Sequence, residues 1–122
     1  SAVLNQLRRT DRSIDCAQQA GDLGQITILN QEFHRILYVA NPHQVTLSLI
    51  ESLWLQLGPF MRLATEQLAD YYLVDRHQEA LTAIEKRDAY ALQLAIASDI
   101  RDGLAFAADP DLLNNLIDNH IL

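Results

Sequence analysis

Three prolines and four glycines in 122 residues leave long uninterrupted stretches, and no cluster of β-branched residues fills them. Punctuation of that kind divides a chain into helices. Gly21 suits the residue just past a helix end because glycine accepts the left-handed conformation, and the carboxylate of Asp22 can cap the helix that follows. Those signals predict a first helix from about Ala2 to Ala20 and a second that ends at Asn41-Pro42. Asn41 and Pro42 then read as N-cap and first residue of a long third helix reaching about Asp70. Asp75 with Gln78 three residues later has the form of a capping box for a fourth helix through Arg87. Asp88 opens a fifth closed by Gly103, and Asp109-Pro110 starts a short sixth.

Apolar residues fall at three- and four-residue steps along these segments, as helices with one buried face require. The second helix carries Leu23, Ile26, Leu29, Phe33, Ile36, Leu37 and Ala40. Along the third, Val45, Leu49, Leu53, Trp54, Leu57, Met61, Ala64 and Leu68 form a seam expected to face the core. Gly58-Pro59 lies within it, and proline there removes a hydrogen bond, so a kink is expected rather than a boundary. Leu81 and Ile84 in the fourth, Ala91, Leu92, Ala95 and Ile96 in the fifth, and Leu112, Leu113, Leu116 and Ile117 in the sixth complete the pattern. The expected fold is all-α, an antiparallel bundle of five to six helices in one domain over residues 1–122.

Composition narrows the function classes. The chain is 49% hydrophobic, yet no apolar run is long enough for a membrane span. A lone Cys16 makes an internal disulfide impossible and fits a cytoplasmic location. The formal charge is -7, and the basic residues gather only at Arg8, Arg9 and Arg12. Binding to phosphate backbones rests on clustered cations, so direct nucleic-acid binding is not expected of this chain.

One pattern stands apart from core building. Asn30, His34 and Tyr38 recur four residues apart among Leu29, Phe33, Ile36 and Leu37, which draws a polar stripe along an apolar helix. Buried polar groups need partners. His77, in the first turn of the fourth helix, and Asp99, near the end of the fifth, are the other polar residues on helices that can face the bundle axis. Donors at i and i+4 form half of a metal site, and facing helices can complete it. Spacing alone leaves a second reading open: His34 as a core histidine bonded to Asn30 or a carbonyl, His77 as a solvated residue and Asp99 as a surface acid. His43 and His120 lie beside turn or terminal positions and read as surface residues.

The stretches "NQEFHRILYVANP" and "DRHQEALTAIEKRDAYALQLAIASDI" resemble the effector-binding, all-helical C-terminal FCD domain of GntR-type bacterial transcription regulators, over about Ser13 to Gly103. The first resembles that family's Asp-x-x-Phe-His-x-x-Leu pattern followed by an Asn-Pro turn. The second resembles its Glu-His-x-x-Ile-x-x-Ala-Ile-x-x-x-Asp stretch with a further ligand beyond. In metal-binding members an Asp and three His hold a divalent ion. Carried over, the resemblance implies a site of Asn30, His34, His77 and Asp99, with Asn30 where the family has Asp and Asp99 where it has the last His. The formal ligand charge is unchanged, and zinc, nickel, manganese or iron would suit such donors.

The resemblance further implies a small carboxylate effector, for which Arg62, Tyr38 and Arg35 are the candidate partners. It implies a homodimer in a bacterial cytoplasm, acting on DNA only through an N-terminal winged helix that this chain does not contain. Two other classes compete with this sensor. One is a metal-dependent helical-bundle enzyme, although a separate general base and the Glu-x-x-His repeats of di-iron bundles are missing. The other is a helical interaction module without a small ligand.

Overall fold

The computed structural model describes residues 1–67, 75–104 and 110–119, apart from the side chains of 60–67, 112, 113 and 116. All six elements found there are α-helices, and the chain falls into two compact units, Ser1–Ala69 and Asp70–Leu122. The first unit holds α1 (Ala2–Ala20), α2 (Leu23–Val39) and α3 (Leu47–Gln67). The second holds α4 (His77–Glu85), α5 (Ala89–Gly103) and α6 (Pro110–Asp118). The expected all-α helical bundle is therefore the fold, and most of its helix boundaries fall where the capping residues placed them.

Both tight turns are built alike. At the end of α1, Gly21 adopts φ 68° and ψ 22°, its N–H donates to the Gln18 carbonyl at 3.1 Å, and the Asp22 N–H donates to the Ala17 carbonyl at 3.0 Å. Asp22 then caps α2, its Oδ1 accepting from the Gln25 N–H at 3.1 Å. At the end of α4, Arg87 takes the left-handed position at φ 55°, and the Arg87 and Asp88 N–H groups reach the carbonyls of Ile84 and Ala83 at 3.0 and 2.9 Å. Asp88 caps α5 through the Ala91 N–H at 2.9 Å. In each hairpin a left-handed residue closes one helix and the next residue, an aspartate, opens another, which folds the pair antiparallel.

Packing follows the helical period. On α1 the buried residues are Leu7, Asp11, Ile14 and Ala17, and the α2 residues Phe33, His34 and Ile36 are buried too. α2 packs against both α1 and α3. In the second unit α4 packs against α5, with Ala80, Leu81, Ala83 and Ala95 buried. Alanines at these contacts let the two backbones approach closely.

Two expectations about the third helix need correction. It begins at Leu47, not at Pro42. Asn41 Oδ1 accepts from the His43 N–H at 2.9 Å, and Gln44 Nε2 donates to the Val39 carbonyl at 3.0 Å. These bonds fold the residues around Pro42 into a turn that satisfies the end of α2, so asparagine serves the turn rather than a helix start. α3 then runs through Gly58 and Pro59 without a break. The apolar seam is the second correction: Val45, Leu49 and Leu53 are 85%, 66% and 54% exposed. Periodicity shows that a helix has an apolar face, not which body covers it. Met61, Ala64 and Leu68 of that seam lie outside the described side chains, as do the expected Leu112, Leu113 and Leu116 of α6, and Asp109 lies outside the described residues.

Candidate functional site

The polar stripe on α2 is real in three dimensions. His34 is buried, Tyr38 is half-buried, and the Tyr38 hydroxyl lies 3.1 Å from His34 Nδ1. Tyr38 is held in turn by the indole of Trp54 on α3, stacked at 6.1 Å between centroids with 19° between the planes. One turn before His34, the side-chain Oδ1 of Asn30 is buried with no hydrogen-bond partner among the described residues. An amide oxygen left that way costs about 1–3 kcal/mol, so it marks a place where a cation or a donor is favoured.

The second unit supplies a denser group. Asp99, buried near the end of α5, accepts the Arg76 N–H on Oδ1 at 3.0 Å. Its Oδ2 stands 3.4 Å from Nε2 of His77, which is fully buried. Behind the ring, Asp75 accepts the His77 N–H on Oδ1 at 3.2 Å and places Oδ2 3.6 Å from Nδ1. Each carboxylate thus fixes a backbone amide at the start of α4 with one oxygen and faces the imidazole with the other. Arg76 adds charge balance, bonding Glu79 at 2.8 Å and Asp102 at 3.2 Å. Those two acids, Glu79 foremost, push the Arg76 guanidinium pKa upward, so it stays a cation.

The 3.4 Å gap between His77 Nε2 and Asp99 Oδ2 is informative. A charge-assisted N–H···O contact closes to about 2.7–2.9 Å. Two donors each about 2.05 Å from one zinc ion at a tetrahedral angle stand about 3.3 Å apart. The pair therefore has the separation of two ligands on one metal. An imidazole nitrogen beside a carboxylate oxygen suits a borderline or hard divalent ion. Each unit thus holds buried donors of the kind that ligate such ions, His34 in the first and His77 with Asp99 in the second.

The other candidates fall elsewhere. Arg35 points to the surface, half exposed and 3.5 Å from Glu51. Arg62 lies on α3, and its side chain is outside the described residues. His43 is exposed, as expected, and His120 is outside the described residues. Two buried or clamped acids were not singled out from sequence. Asp75 was read only as a helix cap, and the cap position itself belongs to Arg76. Asp11 is buried on α1 in register with Leu7 and Ile14, the same polar interruption of an apolar face that drew attention to His34.

The FCD domain family model matches residues 1–102. The chain belongs to the FCD domain family. No curated protein and no solved structure matches it. FCD domains are the all-helical, effector-binding C-terminal domains of GntR-family transcription regulators. The match covers both polar groups described above, that on α2 of the first unit and that on the α4–α5 pair of the second, and it agrees with the family resemblance of the two sequence stretches. Among the described residues of this FCD domain no helix is long and apolar enough to cross a membrane.

Proposed function

We propose that this FCD domain senses a small carboxylate effector through a divalent metal ion held by Asn30, His34, His77 and Asp99. Two imidazoles, one carboxylate and one amide oxygen leave one or two coordination positions for the acid. An ion held there would polarise and orient the bound carboxylate. What carries this reading is the buried His77 Nε2 standing a ligand-to-ligand distance, 3.4 Å, from the buried Asp99 Oδ2.

The chain's own residues divide the remaining work. The hydroxyl of Tyr38, held at His34 Nδ1, can orient that ring or turn a proton toward the effector. Arg62 on α3 is the proposed counter-charge, since a guanidinium binds a carboxylate through paired hydrogen bonds. Arg35, engaged with Glu51, is a weaker candidate. The exposed Leu49 and Leu53 on α3, with the exposed Val45 just before it, support association of two copies through that helix. In a full-length cytoplasmic regulator, effector binding would bias two arrangements of the dimer and so the spacing of separate DNA-binding domains. Such coupling requires the effector to prefer one arrangement.

Titration of the chelator-treated chain with zinc, nickel and manganese tests the first step, followed by melting curves in a panel of mono- and dicarboxylates. The proposal expects one ion per chain, a higher melting temperature with metal, and a further rise for some acid only when metal is present. At a hundredfold excess over Kd the stabilisation is about 2.7 kcal/mol. A chain that takes up no ion and melts unchanged would return the domain to the interaction-module reading.

A further inference from the structure

We propose that Asp75 is a positioning residue for His77: its Oδ2 holds the Nδ1–H, so that the Nε2 lone pair and Asp99 Oδ2 face one divalent ion together. The inference rests on the metal reading above and adds to it a residue outside the ligand set. Three observations carry it. His77 is fully buried, so its ring orientation is fixed by neighbours rather than by water. Asp75 Oδ1 accepts the backbone N–H of the same residue at 3.2 Å, which locks the carboxylate beside the ring. Its Oδ2 lies 3.6 Å from Nδ1, about 0.6 Å beyond an ordinary N–H···O contact, on the side of the ring away from Asp99.

The chemistry sets the direction. An ionised carboxylate only accepts, and Asp75 and Asp99 face opposite nitrogens of the ring. The hydrogen is placed on Nδ1 because Asp75 also clamps the backbone N–H of the same residue, which leaves Nε2 and Asp99 for the ion. A ring with hydrogen on Nδ1 can give its remaining lone pair only from Nε2, the nitrogen beside Asp99. An ion held there would take the Nε2 lone pair and leave the ring's hydrogen on Nδ1, facing Asp75. Outer carboxylates of this kind hold a ligating histidine in one tautomer and raise its basicity, and their loss weakens metal binding about 10- to 100-fold. Tyr38 stands at the same ring atom of His34, 3.1 Å from Nδ1, so both imidazoles are approached at Nδ1 by a neighbouring polar side chain.

The test uses the whole chain labelled with ¹⁵N-histidine, zinc as the probe, and the substitution Asp75→Asn, which keeps an oxygen for the His77 N–H. The metal-free parent is expected to show a slowly exchanging Nδ1–H resonance for His77. Asp75→Asn should lose or strongly shift it and bind zinc about 10- to 100-fold more weakly, with helix content unchanged. Absence of that resonance in the parent, or zinc affinity in the variant within twofold of the parent, overturns the proposal. If the variant does not fold, the parent resonance alone decides. A parent that shows the resonance yet takes up no zinc upholds the Asp75–His77 bond and overturns the metal reading instead.

Discussion

At the scale of single residues, the position of a polar group within an apolar period carried most of the information. Asn30, His34 and Tyr38 interrupt the α2 face at four-residue steps, and the structure places the His34 ring and the Asn30 oxygen in buried surroundings. His34→Ala is expected to abolish stoichiometric zinc binding and to remove the metal-dependent rise in melting temperature, as read by titration calorimetry and thermal melts. His43→Ala, altering an exposed turn residue, should change neither, and a comparable loss there would show that the wrong histidine was chosen. Asp75 escaped notice because an aspartate just before a helix is explained by capping alone. Its second oxygen, the one facing His77, becomes visible only when the ring's position is known. Asp11 escaped because a lone acid on an amphipathic helix ordinarily lies at the solvent edge, and only the packed face reveals it as buried.

At the scale of helices and turns, legibility tracked how local the deciding interaction was. Gly21-Asp22 and Asp88 fixed helix ends through bonds spanning a few residues, and those ends lie where the sequence places them. Asn41-Pro42 misled because asparagine serves a turn as readily as a cap, and the contest was decided by the Gln44 bond to Val39 across the turn. The two matched hairpin turns make a paired prediction. Gly21→Ala places a Cβ at φ 68° and should lower stability by about 1 kcal/mol. Arg87→Gly relieves the same conformation at φ 55° and should raise stability by about 0.5–1 kcal/mol, both read from urea midpoints. An unchanged midpoint for Gly21→Ala would mean that the turn does not hold its left-handed geometry in solution.

At the scale of the whole molecule, the apolar face of α3 is the feature periodicity could not assign. Leu49 and Leu53 keep a core-like spacing while remaining largely exposed, and Val45 just before the helix is exposed too, which is why this face is the one proposed for a second copy. Leu49→Asp with Leu53→Asp should shift the protein from dimer to monomer in analytical ultracentrifugation while leaving its helix content intact. A parent that sediments as a monomer would remove dimerisation through this face. In the proposed sensor one divalent ion would be shared by side chains from α2, α4 and α5. An anomalous difference map from zinc-loaded crystals, collected at the zinc edge, tests it most directly. A single peak per chain is expected, about 2.0–2.2 Å from a nitrogen of His34, Nε2 of His77 and a carboxylate oxygen of Asp99, with the Asn30 oxygen completing the set. No peak, or a peak ligated by other residues, would contradict it.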